Sequence, residues 1–62
     1  MLIPETFYVE KDGLPAMGLN INEKSLMNIG SDYDLTIAGV SINYKLIDVR
    51  HGNIYKFKLN AK

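Results

Sequence analysis

The residues able to do chemistry in this chain are few, and their spacing argues for contact rather than catalysis. Asp32 and Asp34 stand two apart, as in a metal loop or a paired acid–base site. A calcium loop needs further oxygen ligands at regular intervals, but an apolar strand follows Asp34 at once. Acid–base hydrolysis needs two carboxylates across a deep cleft, which 62 residues can scarcely enclose. The pair therefore reads as a solvated loop leading into a strand. His51 is the one histidine and precedes Gly52, so a turn residue at positive φ explains it better than a general base. Ser25, Ser31 and Ser41 suit a helix first turn, a loop after a helix cap and the outer side of a strand. There is no cysteine, and nothing sets a base and an orienting group beside a serine. The five glycines fit neither a dinucleotide fingerprint nor a P-loop. The expectation is a protein that is not an enzyme, with no catalytic residue, metal ligand or cofactor.

Two other constellations point to binding. Lys45, Lys56 and Lys58 share one parity in the C-terminal half, with Arg50 on the core-side parity but at the turn end beside His51, and Lys62 trailing. Lysines facing one another across strands repel, which a sheet tolerates to guard an edge or to meet an anion. Ile47, Val49 and Ile54 fall on the same expected face as the lysines. Three β-branched aliphatics do not belong on a solvated face, so either the N-terminal hairpin covers them or they form a contact surface. Apolar residues rimmed by Lys45, Arg50, Lys56 and Lys58 have the make-up of a protein contact site for an acidic partner.

These side chains must be carried by strands. From Tyr33 to Leu59 three antiparallel strands share an apolar face if two-residue turns lie at Ala38-Gly39 and His51-Gly52. Ile37 then faces Val40, Leu35 faces Ile42 and Tyr33 faces Tyr44. In the second hairpin Tyr44 faces Leu59, Leu46 faces Phe57, Asp48 faces Tyr55 and Val49 faces Ile54. Lys45 falls across from Lys58. Because side chains alternate, a one-residue slip would turn this apolar set to water.

Upstream, Thr6 to Glu10 favours a strand, and Lys11-Asp12-Gly13 has the Asp-Gly signal of a hairpin turn. The return segment, Leu14 to Ile21, contains Pro15 and Gly18, which place it on an edge or at a bulge. Phe7 and Val9 alternate with Tyr8, so one of these two sets belongs to the core. Asn22 as cap, Glu23 in the first turn and Gly30 at the end mark a short helix over about 22–29. The whole chain, 1–62, reads as a single small β-rich domain, mainly β or small α+β. Five short antiparallel strands form a partly open barrel or curled sheet, with the helix between the second and third. A flat sheet crossed by one helix is the alternative.

Composition bounds the rest. A domain of this size buries only about 60% of its unfolded surface, so self-association or docking on a partner is expected where disulfides are missing. The net charge is zero, but residues 1–34 carry −4 and residues 35–62 carry +4. Packing of the two halves explains this more simply than partner steering. The start shows no signal peptide or membrane anchor, so a cytoplasmic, non-membrane protein is expected. Lysine over arginine, with abundant Ile and Asn, is the bias of an AT-rich genome, as in many low-GC bacteria and their phages. The functional expectation is a small protein-binding module, an inhibitor or accessory factor that occupies another protein's surface, of a kind phages and mobile elements encode. Self-association is part of that expectation. A small-barrel nucleic-acid binder using the C-terminal lysines, or a structural subunit of a larger assembly, are the alternatives.

Overall fold

The computed structural model describes residues 3–19 and 28–60. Four strands form, β1 (Thr6–Glu10), β2 (Asp32–Ile37), β3 (Val40–Arg50) and β4 (Ile54–Leu59), in one antiparallel sheet of order β1-β4-β3-β2. Ala38 and Gly39 both take positive φ, 52° and 81°, the backbone that a two-residue hairpin turn requires. The β2–β3 register is the one the sequence implies, with Tyr33 opposite Tyr44, Leu35 opposite Ile42 and Ile37 opposite Val40. Ala38 holds this left-handed conformation at a steric cost that asparagine largely avoids. Ala38→Asn should therefore stabilise the domain by about 0.5–1 kcal/mol. Thermal denaturation would show this as a rise in Tm of roughly 2–8 °C.

The second hairpin departs from a regular ladder. Tyr44 faces Leu59, Lys45 faces Lys58 and Leu46 faces Phe57, as alternation requires. Beyond them the register shifts between Leu46 and Asp48, so that Asp48 faces Lys56, Val49 faces Tyr55 and Arg50 faces Ile54. Ile47 is the extra residue of a β-bulge. The expected pairs Asp48–Tyr55 and Val49–Ile54 do not form. One inserted residue reverses which way every later side chain on β3 points. At the tip, His51 and Gly52 take φ of 55° and 74°, and the Asn53 N–H donates to the Arg50 carbonyl at 3.1 Å.

The N-terminal region corrects the expected topology. β1 pairs with β4, not with the segment that follows it, placing Phe7 opposite Phe57 and Tyr8 opposite Lys56. Lys11 continues the ladder by donating its N–H to the Asn53 carbonyl at 2.8 Å, so the Asp12-Gly13 hairpin does not form. Two 3-10 turns follow instead, Lys11–Gly13 and Pro15–Met17. Pro15 opens the second turn, where a missing N–H costs nothing, and Gly18 closes it at φ 83°. A Cβ on Gly18 would lie 2.8 Å from the Thr36 hydroxyl, so only glycine fits against the β2 edge. Pro15 and Gly18 thus punctuate a capped turn, and the expected second strand is absent over 14–19. Among the described residues the fold is mainly β with four strands, not the five expected, in an open sheet whose edge strands β1 and β2 do not meet. A closed or partly open barrel is therefore not what these strands build. The helix expected over about 22–29 lies outside the described residues at 22–27. Its last two positions, Asn28 and Ile29, are not helical, and the segment falls between β1 and β2 in chain order.

The core lies on one face of the sheet and is largely aromatic. Leu14, Leu35, Tyr44, Leu46, Tyr55 and Phe57 are fully buried, and Tyr33 nearly so. Phe7 packs edge-on to Tyr44 with centroids 5.0 Å apart and stacks against Phe57 at 5.7 Å. Leu14, between the two 3-10 turns, drops into this face and explains why the turn segment stays folded against it. The Tyr44 hydroxyl donates to the Pro4 carbonyl at 2.7 Å, whereas the Tyr33 hydroxyl is buried with no partner among the described residues. An unmade buried hydrogen bond is expensive, so Tyr33→Phe should match or exceed wild-type stability by up to about 1 kcal/mol. Tyr44→Phe should lose about 1 kcal/mol. Urea titration of the two variants side by side measures the difference.

Candidate functional site

Alternation that buries Phe7, Val9, Tyr55 and Phe57 must send the intervening residues to the reverse face. There Thr6, Lys58, Lys45 and Asp32 form one cross-strand row from β1 to β2. Tyr8, Lys56 and Asp48 form the next, and Glu10, Ile54 and Arg50 the one nearest the turn. The bulge at Ile47 decides the last two rows. It brings Asp48 and Arg50 onto the reverse face and sends Val49 to the other side, where it packs against the core cluster.

Of the residues singled out from sequence, Lys45, Arg50, Lys56, Lys58 and Ile54 thus share the reverse face. Ile47 sits in the bulge, half-buried and not part of the core cluster. Val49 is the correction: half-buried, it packs against the core cluster on the other side of the sheet and so is not at the centre of the reverse face. Tyr8 takes that central position. It is 48% exposed, with the Arg50 guanidinium 4.9 Å and the Lys56 ammonium 5.3 Å from the ring centroid. Cations at these distances are held by the ring quadrupole, which orders two long side chains around one aromatic. The alternation of Tyr8 against Phe7 and Val9 was the sequence signal for it. Which of the two sets faced the core depended on β1 pairing with β4.

The repulsion expected between Lys45 and Lys58 is relieved on one side. Lys45 donates to Asp32 at 2.9 Å and to the Gly30 carbonyl at 3.1 Å. Arg50 meets Asp48 at 3.4 Å, and Asp48 also accepts the Val49 N–H at 2.9 Å, which fixes its side chain beside the bulge. Lys58 is exposed and makes no ion pair among the described residues. The face therefore offers an exposed tyrosine, two half-buried isoleucines and a set of cations. Among the described residues, Lys56 and Lys58 are bound to no carboxylate.

The two carboxylates spaced like an acid–base pair are occupied as acceptors. The Asn43 side-chain amide donates to Asp34 at 2.9 Å, and that of Asn60 donates to Asp32 at 3.0 Å and to the Asn43 side-chain Oδ1 at 2.6 Å. This ladder borders an open cleft of about 450 Å³ whose apolar floor is Ile42 and Leu59. Asp34 and Asp32 stand on neighbouring rows of the strand, each tied to an amide, which is not the arrangement of an acid beside a base. Hydrogen bonds from Lys45 and Asn60 hold the Asp32 carboxyl below its ordinary range. A carboxylate depressed on folding stabilises the native state above its unfolded pKa and loses that contribution as pH falls through the folded one. Acid titration should therefore erode stability below about pH 4 in wild type, and less so in Asp32→Asn. His51 stands exposed at the turn tip, and among the described residues no three His, Asp or Glu side chains gather as metal ligands would. Ser25 lies outside the described residues.

Fold and face together define a class: a small open antiparallel sheet with its core on one side and an ordered aromatic–cationic surface on the other. No protein-family model matches the chain, and neither does a curated protein or a solved structure. No helix among the described residues is long and apolar enough to cross a membrane.

Proposed function

We propose that the chain is a small protein-binding module, an inhibitor or accessory factor that lays the reverse face of its sheet on an acidic surface of another protein. The observation that carries this is Tyr8, exposed at the centre of the face with Arg50 and Lys56 ordered around it. Tyrosine and arginine are the residue types that dominate contact energies, and Ile47 and Ile54 supply apolar area beside them. Lys45 and Lys58 form the basic rim. The role requires binding and no bond chemistry. A partner captured from lysate by the wild-type chain and lost with folded Tyr8→Ala and Ile54→Asp variants supports this reading. A partner retained by both variants removes the face from consideration.

The same tyrosine favours a second reading, in which a single-stranded nucleic acid stacks a base on Tyr8 and sets phosphates on Lys56 and Lys58. Salt separates the two. Phosphate neutralisation gives an affinity that falls steeply with ionic strength, while a contact centred on Tyr8 and isoleucine falls less. Titration of a fluorescent oligothymidine from 50 to 200 mM salt, with the protein partner titrated in parallel, distinguishes them.

A further inference from the structure

The two edges of the sheet are not equivalent. The Lys11 N–H donates to Asn53 and the Leu59 N–H donates to the Glu5 carbonyl at 2.6 Å. Along an antiparallel ladder hydrogen-bonded residues alternate, so Glu5, Phe7, Val9 and Lys11 point their backbone groups at β4. The N–H and C=O groups of Thr6, Tyr8 and Glu10 then point away from the sheet, and none of them bonds to another backbone group among the described residues. On the opposite edge, Gly18 presses on Thr36, and Asp32 and Asp34 set carboxylates along β2. Charges and covering segments are how edges are kept from pairing. β1, Thr-Phe-Tyr-Val-Glu, carries a charge only at its last residue, Glu10, and has no proline, bulge or covering segment among the described residues.

We infer that the outer edge of β1 pairs with the same edge of a second copy, antiparallel about a two-fold axis at Tyr8, joining two four-stranded sheets into one. The strand suits its own image. With Tyr8 opposite the mate's Tyr8, Thr6 falls opposite the mate's Glu10, and every outward N–H meets an outward C=O. On the core side Phe7 comes opposite the mate's Val9, both half-buried in the single chain, so the two apolar faces run on into each other. On the reverse face Glu10 enters the row of the mate's Thr6 and Lys58, two strands or about 10 Å from that ammonium's strand. Glu10 and Lys58, neither of which has an ion pair among the described residues, can then meet across the threonine. A chain of this length without cysteine gains the buried area it lacks alone.

Static light scattering on the full chain is expected to give a mass near 14 kDa, twice the 7.0 kDa of one chain. Tyr8→Pro removes an outward N–H and the exposed ring but no backbone bond to β4, so it should retain the β-sheet circular dichroism while the mass falls to that of one chain. Asp34→Pro, the same change on the β2 edge, should stay dimeric. A wild-type mass of one chain at 0.5 mM, or a folded dimeric Tyr8→Pro, overturns the inference. If Tyr8→Pro does not fold, isotope-filtered NOESY on mixed labelled and unlabelled wild-type protein decides. A Thr6–Glu10 contact between copies supports the pairing, and its absence ends it. The partner-capture test on Ile54→Asp is independent, because Ile54 lies off the β1 edge.

Discussion

Val49→Asp is expected to unfold most of the population at 37 °C, while Ile54→Asp leaves the chain folded. A regular ladder would set Val49 and Ile54 opposite each other on the reverse face, where either change would cost little. The bulge at Ile47 separates them: Val49 faces Tyr55 and packs against the core, and Ile54 faces Arg50 on the reverse side. A carboxylate at 49 would be set against Tyr55 and the edge of the core cluster, costing about 3 kcal/mol or more. At 54 the new carboxylate would stand beside Arg50 and keep access to water, and the loss of a half-buried isoleucine costs about 1 kcal/mol. Circular dichroism melts of the two variants measure the contrast. Equal stabilities, or the reverse order, would show that residues 48–50 do not face the way the bulge directs.

Phe57→Ala should remove about 3–5 kcal/mol. Phe57 is fully buried, stacks on Phe7 at 5.7 Å and meets Tyr33 edge-on at 6.3 Å, so its ring joins strands from both edges of the sheet. Domains hold about 0.05–0.15 kcal/mol per residue, so this one substitution takes from about a third to all of what a chain of this length possesses. A fall in Tm of at least about 15 °C is expected in a thermal melt. A fall of less than about 5 °C would mean that the aromatic cluster is not the core.

The C-terminal meander was legible in the sequence because its constraints are local. Ala38-Gly39 fixes one turn, and the alternating Tyr33, Leu35, Ile37 and Ile42, Tyr44, Leu46 fix the register on either side. The bulge was not legible. Ile47 is as apolar as its neighbours, and alternation continues past it on paper with Ile47 and Val49 together. What favours the bulge is that apolar Val49, not the carboxylate of Asp48, then faces Tyr55, and that Asp48 gains the Val49 N–H and Arg50. Strand β1 is the long-range case. Its local turn signal, Asp12-Gly13, loses to pairing with β4, some fifty residues away, which buries Phe7 between Tyr44 and Phe57. Pro15 and Gly18, read as blemishes in a strand, are the two ends of a 3-10 turn. The candidate site followed the same division. Lys45, Lys56, Lys58 and Ile54 came from register, whereas Tyr8 became central only once β1 lay beside β4.

The facing of residues on either side of Ile47 determines which surface can meet a partner, and proton NMR reads it directly. NOESY spectra should connect the Val49 methyls to the Tyr55 ring and the Tyr8 ring to the side chains of Lys56 and Arg50. Contacts from the Asp48 β-protons to the Tyr55 ring, with the Val49 methyls against Ile54, would instead establish a ladder without the bulge. The reverse face centred on Tyr8, Lys56 and Arg50 would then not exist.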